Sequence, residues 1–139
     1  CQRDGNEEGT RNARTQEVSA ASPSAVVQRR LDAYNARDLE AWLRPYHSDA
    51  EQFELHGALI ARGHEAIRER MRARFTEPDL HAVLLSRSTM GRFVVDHERV
   101  TRTFPEGRGT VGMLCVYEVQ DEAIIRASFA LSERKLSAR

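Results

Sequence analysis

A carboxylate and an imidazole lie two residues apart at Glu54 and His56. Both groups can exchange protons, and such residues are suited to general acid–base chemistry. Metal binding is not predicted, because the histidines lack a spacing such as H-x-x-x-H on one helix. The sequence also lacks a serine-centred elbow, a phosphate loop and a dinucleotide fingerprint, so no cofactor is predicted.

A reactive thiol and an anion site are two further chemical candidates. Cys115 lies in an apolar run, a position typical of a small buried hydrophobe rather than a nucleophile. Four arginines at alternate positions, Arg68, Arg70, Arg72 and Arg74, could together bind an anion. Because they alternate with apolar and acidic residues around a predicted helix, we interpret them as a solvated helix face.

The bulk composition predicts one domain with a tail. The chain has 139 residues, of which 40% are hydrophobic and 30% are charged, and its formal net charge is zero. These values are typical of a globular protein. The charge balance gives no indication of nucleic-acid binding. No apolar run approaches the roughly 20 residues that a membrane-spanning helix needs.

The N-terminal segment is polar and shows no apolar period. We therefore predict a flexible tail at 1–21, a domain at 22–132 and a C-terminal tail at 133–139. A cysteine at the first position, followed by a polar tether, is typical of a bacterial lipoprotein after signal cleavage. This interpretation predicts a lipid anchor at Cys1 on the periplasmic or outer side of a membrane. The alternative is an arbitrary sequence boundary and a cytoplasmic location.

Three helices are predicted in the first half of the domain. Ser22 and Pro23 are suited to the N-cap and first position of a helix that runs to about Arg37. Asp38 can cap a second, shorter helix, which Pro45 would end. Gly63 opens a third helix in which every fourth residue is apolar, namely Ile67, Met71 and Phe75.

Strands dominate the second half. A weakly alternating segment at 50–55 reads as a first strand, and a short strand can follow at 59–61. Turn signals then divide the remainder into runs at 80–90, 93–103, 110–119 and 123–131, each rich in β-branched or aromatic residues. Short connections between these runs predict antiparallel hairpins. Helices followed by strands indicate an α+β fold.

Four stretches of this chain resemble parts of the nuclear transport factor 2-like, or SnoaL-like, superfamily. They match the first two helices, the third helix and the closing strands, over about residues 24–130: AVVQRRLDAYNARDLEAW, ARGHEAIRERM, VVDHERVT and CVYEVQDEAIIRASF. The resemblance implies a cone, in which a curved, largely antiparallel sheet wraps around the long first helix and leaves a pocket at its wide end. It also implies a homodimer formed through the outer sheet face.

The superfamily includes ketosteroid isomerase, polyketide cyclases, dehydratases and binding proteins without catalysis, so the fold alone does not fix the function. Ketosteroid isomerase uses a carboxylate base and two hydrogen-bond donors. Aligning SDAEQFELHG with its first strand puts Glu54 at the base. Arg30 and Tyr117 fall where the two donors would be. Alternatively, Glu54 is solvated or is neutralised by an arginine such as Arg30.

Two functions follow from this resemblance. One is a protein that binds a small, largely apolar molecule. The other is an isomerase, cyclase or dehydratase in which Glu54 shuttles a proton and Tyr117 or His56 acts as donor. A module serving only dimerisation is a third alternative. Six further residues could line the pocket, although their spacing also suits a plain core: Tyr34, Trp42, Phe53, Met71, Phe75 and Met113.

Overall fold

The computed structural model describes residues 21–137. The N-terminal tail with Cys1, the predicted lipid-attachment site, lies outside the described residues. Helix α1 spans Pro23–Asn35 and begins as the sequence predicts, because the Ser22 side chain accepts a hydrogen bond from the Ala25 amide. It ends two residues before the predicted Arg37, which has a positive φ of 58°. The described domain therefore begins with a capped amphipathic helix.

The remaining helices also follow their predicted signals. Helix α2 spans Leu39–Leu43, and the Asp38 side chain caps it by accepting a hydrogen bond from the Ala41 amide. Helix α3 spans Gly63–Arg72 and is followed by a single 3-10 turn at Arg74–Thr76. Three helices thus precede the main strands, as predicted.

The described part of the chain has seven strands, of which six correspond to predicted runs; the first begins four residues before the predicted position 50, and the last was not predicted. The strands are β1 (Tyr46–Glu54), β2 (Leu59–Arg62), β3 (His81–Met90), β4 (Phe93–Phe104), β5 (Gly107–Gln120), β6 (Ala123–Leu131) and β7 (Lys135–Leu136). Strand β5 starts three residues before the predicted position 110, because its pairing with β4 continues to the Phe104–Gly107 pair. The β4–β5 turn is therefore much tighter than its glycine-rich sequence indicates.

All seven strands form one mixed, curved sheet. The order is β2-β1-β6-β5-β4-β3, with β7 paired to the start of β5. Neighbouring strands are antiparallel except β1 and β6, which run parallel. The predicted α+β class and wrapped sheet are therefore confirmed.

Alternation along β4 shows which face of the sheet is inside. Val94, Asp96, Glu98 and Val100 are all buried, whereas His97 between them is exposed. Helix α1 contacts strands β3 to β6, so it lies across this inner face. His97 thus lies on the face opposite to its two acidic neighbours, and both carboxylates face the interior.

The C-terminal end pairs with the sheet instead of leaving it. Residues 135–136, within the predicted tail, form β7 beside Gly109 and Thr110. A Cβ atom at Gly109 would lie 2.4 Å from the Lys135 carbonyl oxygen, so only glycine permits this close approach. Ordered structure therefore extends beyond the predicted boundary at 132.

Candidate functional site

The interior of the cone contains two adjoining chambers. The outer one has a volume of about 150 Å³ and the inner one about 30 Å³. Both are lined by Tyr34, Arg70, Arg74, Met113 and Phe129. The outer chamber adds Glu54, Ile60, Val100, Arg102, Val111 and Leu131, and the inner one adds Arg30, Trp42, Gln52, Met71 and Glu98. Residues from both helices and strands therefore enclose one candidate site.

A larger depression of about 560 Å³ lies on the outside of helices α1 and α2. It is open to solvent, and charged side chains supply much of its lining, among them Arg29, Asp32, Asp38, Arg44 and Glu122. Ligand sites are usually enclosed and mainly apolar. The smaller cavity inside the cone is the more enclosed of the two, and on that ground it is the better candidate.

The structure places most of the predicted pocket residues at the cavity. Arg30, Tyr34, Trp42, Met71 and Met113 line one or both chambers. Phe53 and Phe75 line neither of them.

Packing explains the positions of these two phenylalanines. Phe53 is half-buried, and its neighbours Gln52 and Glu54 take the inward positions of β1. The Phe75 ring packs behind the chambers, with its centroid 5.5 Å from that of Tyr34 and 5.6 Å from that of Trp42. Phe75 therefore supports the wall without forming it.

Glu54 and His56 are not brought together at the cavity. Glu54 lines the outer chamber from an exposed position at the end of β1. His56 lies in the following turn, is exposed, has a positive φ of 57° and does not line either chamber. The expected acid–base pair at the pocket is thus reduced to one carboxylate at its rim.

Arg30 pairs with a different carboxylate from the one considered in the sequence. Its Nη2 atom lies 3.4 Å from Oε2 of Glu98, and both side chains are buried. The Arg30 guanidinium also lies 5.0 Å from the centre of the Tyr117 ring. Glu54 has no ion pair with any residue between 21 and 137. Neutralisation of Glu54 by Arg30 is therefore wrong.

A second buried ion pair lies beside the first. Arg87 donates to both carboxylate oxygens of Asp96, at 2.7 and 2.9 Å, and to Oε1 of Gln28 at 2.9 Å. Burial raises the pKa of Glu98, Arg30 lowers it, and the neighbouring Asp96 raises it. Two cations and two carboxylates thus share the interior.

Three buried donors near the inner end have no hydrogen-bond partner among the described residues. They are Nε of Arg30, Nε1 of Trp42 and the hydroxyl of Tyr117. Arg30 and Trp42 line the inner chamber, whereas Tyr117 lies behind Arg30 and lines neither chamber. The Tyr117 hydroxyl lies near the thiol of Cys115, which is a weak acceptor. Burial raises the pKa of Cys115 to about 12, as expected for an inert buried thiol.

The arginines of helix α3 do not form one solvated face. Arg68 pairs with Glu40 and Glu65, and Arg72 pairs with Glu69, all away from the cavity. Arg70 and Arg74 instead line both chambers. The interpretation of the run as a solvated face is therefore wrong for these two. Arg70 and Arg74 are four residues apart, and this spacing places two side chains on one helix face. The sequence could therefore have indicated that these two side chains lie together.

Neither a metal cluster nor a membrane span is found in residues 21–137. Within that range, no three His, Cys, Asp or Glu side chains are grouped so that they could hold a metal ion. The helices described there are too short or too polar to cross a membrane.

Solved structures of low sequence identity share this fold. An uncharacterized cystatin fold protein from Novosphingobium aromaticivorans is 24% identical, with a TM-score of 0.73, covering 79% of this chain and 98% of that one. An NTF2-like protein of unknown function from Cytophaga hutchinsonii is 12% identical, with a TM-score of 0.68 and coverages of 84% and 95%.

A third similar structure contains a bound small molecule. It is a hypothetical protein with a ketosteroid isomerase-like fold from Catenulispora acidiphila, in complex with trimethylamine. It is 16% identical, with a TM-score of 0.64, and the match covers 79% of this chain and 86% of that one. At these identities the three likenesses concern the fold alone.

A match to a family sequence model identifies the family of this chain more specifically than a shared fold does. A search of curated proteins found no significant match. The model of the SnoaL-like domain matches residues 27–127, which include most of α1, all of α2, α3 and strands β1 to β5, and the first part of β6. The chain therefore belongs to the SnoaL-like domain family.

Proposed function

We propose that this domain binds a small molecule with a largely apolar body inside the cone. The observation that carries the proposal is the enclosed cavity itself, with an apolar wall that includes Val111, Met113 and Phe129. A few polar groups converge on the same space from α1, α3 and β4. An apolar lining with a few placed polar groups is the usual composition of a ligand site.

The chamber volumes limit the size of the ligand. An apolar cavity of about 150 Å³ in another protein holds one benzene molecule, so the outer chamber suits a single six-membered ring with a short substituent. The inner chamber, of about 30 Å³, has room for one or two additional atoms. A steroid-sized substrate would require the cavity to widen.

Filling the outer chamber tests this function. Ile60→Trp places a large ring in the chamber, whereas Leu59→Trp adds the same ring at the neighbouring residue, which is exposed and does not line it. We expect Ile60→Trp to weaken binding of benzyl alcohol at least tenfold, because overlap with the new side chain excludes the ligand. Leu59→Trp should leave the affinity within twofold. Ligand-detected NMR titration measures both affinities.

Two results would contradict the proposal. One is benzyl alcohol binding that Ile60→Trp leaves unchanged, which would place the ligand elsewhere. The other is the absence of any bound ring-sized compound, both in NMR screening and in native mass spectrometry of the purified protein.

Catalysis is a second candidate, favoured by a single observation: the carboxylate of Glu54, which has no ion-pair partner among residues 21–137, lines the outer chamber. There it could take a proton from an acidic carbon of a bound substrate, as an isomerase, cyclase or dehydratase requires. Glu54→Gln keeps the shape and removes the base, so turnover of a carbon acid found to react should fall by about 10²–10⁴-fold. Stopped-flow kinetics or deuterium exchange would measure the loss. Full activity in Glu54→Gln would eliminate this role.

Pairing of two copies through the sheet also stays a prediction. The outer face exposes Val83, Phe93 and Leu114, each 37–38% accessible. Their register on β3, β4 and β5 places them on the face opposite to Asp96 and Glu98. A second copy would cover this apolar surface, and sedimentation equilibrium gives the mass that decides it.

A further inference from the structure

Arg70 differs from the other arginines of the cavity in the contacts of its guanidinium. Its Nη1 atom donates to Oε1 of Gln52 at 3.1 Å and approaches the sulfur of Met71 at 3.4 Å. Within residues 21–137, no carboxylate lies within ion-pair distance of its guanidinium. Burial, together with the nearby charge of Arg74, lowers the pKa of Arg70. Its positive charge is thus uncompensated beside the cavity.

Each of the other three arginines at the cavity has a carboxylate partner: Arg30 pairs with Glu98, whereas Arg74 and Arg102 share Glu77. Arg102 donates to both oxygens of Glu77 at 2.9 Å, and Arg74 lies 3.6 Å from the same carboxylate. Glu54 supplies a negative charge at the rim, but it is exposed and therefore strongly screened by solvent. Together with Arg70, these groups carry four positive and three negative charges. The excess positive charge lies on the arginines of the cavity, and Arg70, which lines both chambers, is the one without a carboxylate partner among residues 21–137.

The inner chamber provides a second, independent observation. Nε of Arg30 and Nε1 of Trp42 are buried donors without a partner, on two residues that line this chamber. Buried donors in native proteins nearly always have an acceptor, so such groups indicate a bound water or ligand oxygen. Arg70 lines the same chamber. An oxygen-rich, negatively charged group would satisfy both features at once.

We propose that Arg70 is a specificity-determining residue that selects ligands with a carboxylate head group on a ring-sized apolar body. The carboxylate lies where the two chambers meet, against the Arg70 guanidinium and within reach of the inner donors. The apolar body lies in the outer chamber against Met113 and Phe129. This inference rests on the proposed function, because it assigns the head group of the ligand bound there.

A matched pair of probes separates charge from shape. Benzoate and benzyl alcohol share a ring of the size that the outer chamber admits, but only benzoate carries a charge. Trp42 is the sole tryptophan of the chain and lines the inner chamber, so its fluorescence reports binding to both probes. We expect benzoate to bind more tightly than benzyl alcohol, with an affinity that falls as salt is added.

Three arginine variants test the assignment. Arg70→Met should weaken benzoate binding by about tenfold to a hundredfold, because a hydrogen bond to a charged group is lost. It should weaken benzyl alcohol binding by a clearly smaller factor, because the neutral hydroxyl loses no charge interaction, and circular dichroism shows that the variant is folded. Arg70→Lys should recover part of the benzoate affinity, since it keeps the charge without the planar fork. Arg72→Met removes an exposed charge from the same helix and should change neither affinity.

Each other outcome overturns the inference. Equal binding of the two probes, unaffected by Arg70→Met, would eliminate the carboxylate site while leaving the apolar pocket in place. Equal losses in Arg70→Met and Arg72→Met would indicate general attraction to a positive surface. Failure of both probes to bind, or binding that Ile60→Trp does not disturb, would remove the proposed function together with this inference.

Discussion

Arg30→Met is expected to lower the free energy of unfolding by about 3–5 kcal/mol at neutral pH, the usual cost of leaving a buried charge unpaired. Arg30 is 4% exposed and Glu98 is 1% exposed, so water cannot replace the lost partner. Chemical denaturation with urea measures the change. Arg29→Met, an exposed arginine on the same helix, should alter stability by less than about 0.5 kcal/mol.

The double variant Arg30→Met with Glu98→Met tests whether the loss of stability comes from the unpaired charge. Replacing both members of a buried ion pair by apolar residues of similar size is often neutral or stabilising. We therefore expect the double variant to recover most of the loss. A double variant as unstable as Arg30→Met would show that the arginine acts through packing and not through its charge.

The loss of unfolding free energy in Arg30→Met should also depend on pH. The pKa of Glu98 is already raised above its ordinary value of 4.5, and removing Arg30 raises it further. A carboxyl whose pKa is higher in the folded than in the unfolded protein makes its full contribution to stability at pH values below the unfolded pKa. That contribution is lost as the pH rises through the folded pKa. The difference in the free energy of unfolding between wild type and Arg30→Met should thus be small near pH 4.5 and grow toward neutral pH. A constant difference would contradict this account.

Trp42→Ala is the second change with a large expected effect, a loss of about 3–5 kcal/mol. Trp42 is 1% exposed, and its ring lies 5.0 Å from that of Tyr46 and 5.6 Å from that of Phe75, measured between centroids. The truncation would leave a void continuous with the inner chamber, which Trp42 lines. Urea denaturation monitored by circular dichroism measures the loss, since the variant has no tryptophan.

Added indole should partly restore this variant. A molecule that binds only the folded state raises its stability in proportion to the logarithm of ligand concentration. Indole fits the space vacated by the side chain, so it should raise the melting temperature of Trp42→Ala more than that of the wild type. Trp42→Phe leaves a smaller void and should lie between the two. Equal shifts in all three proteins would show that the void does not join the cavity.

Much of the fold was predictable because its signals are local. Ser22 and Asp38 cap their helices through their own side chains, and glycine and proline mark most of the turns. The residues of β1 that face the cavity were harder to predict. Phe53 and Glu54 were both expected at the pocket, although neighbours on a strand point to opposite faces. The structure places Gln52 and Glu54 on the cavity side.

The buried charges could not be assigned from local signals. Strand β4 has polar residues on both faces, with His97 and Arg99 outside and Asp96 and Glu98 inside, so its alternation does not identify the core face. The partner of Glu98 is 68 residues away in the chain. Such a pair depends on how α1 crosses the sheet, and this crossing is a property of the complete fold.

The place of β6 in the sheet has a consequence for biosynthesis. In the part of the chain that the structure describes, strands β1 and β2 join the remaining strands only through β6, which is parallel to β1 and more than 70 residues later in the chain. Contacts between distant segments form slowly, because a long loop must close first. During translation, a nascent chain that stops before residue 123 therefore exposes two unpaired strand edges. The interior cavity can close only after nearly the whole domain has left the ribosome.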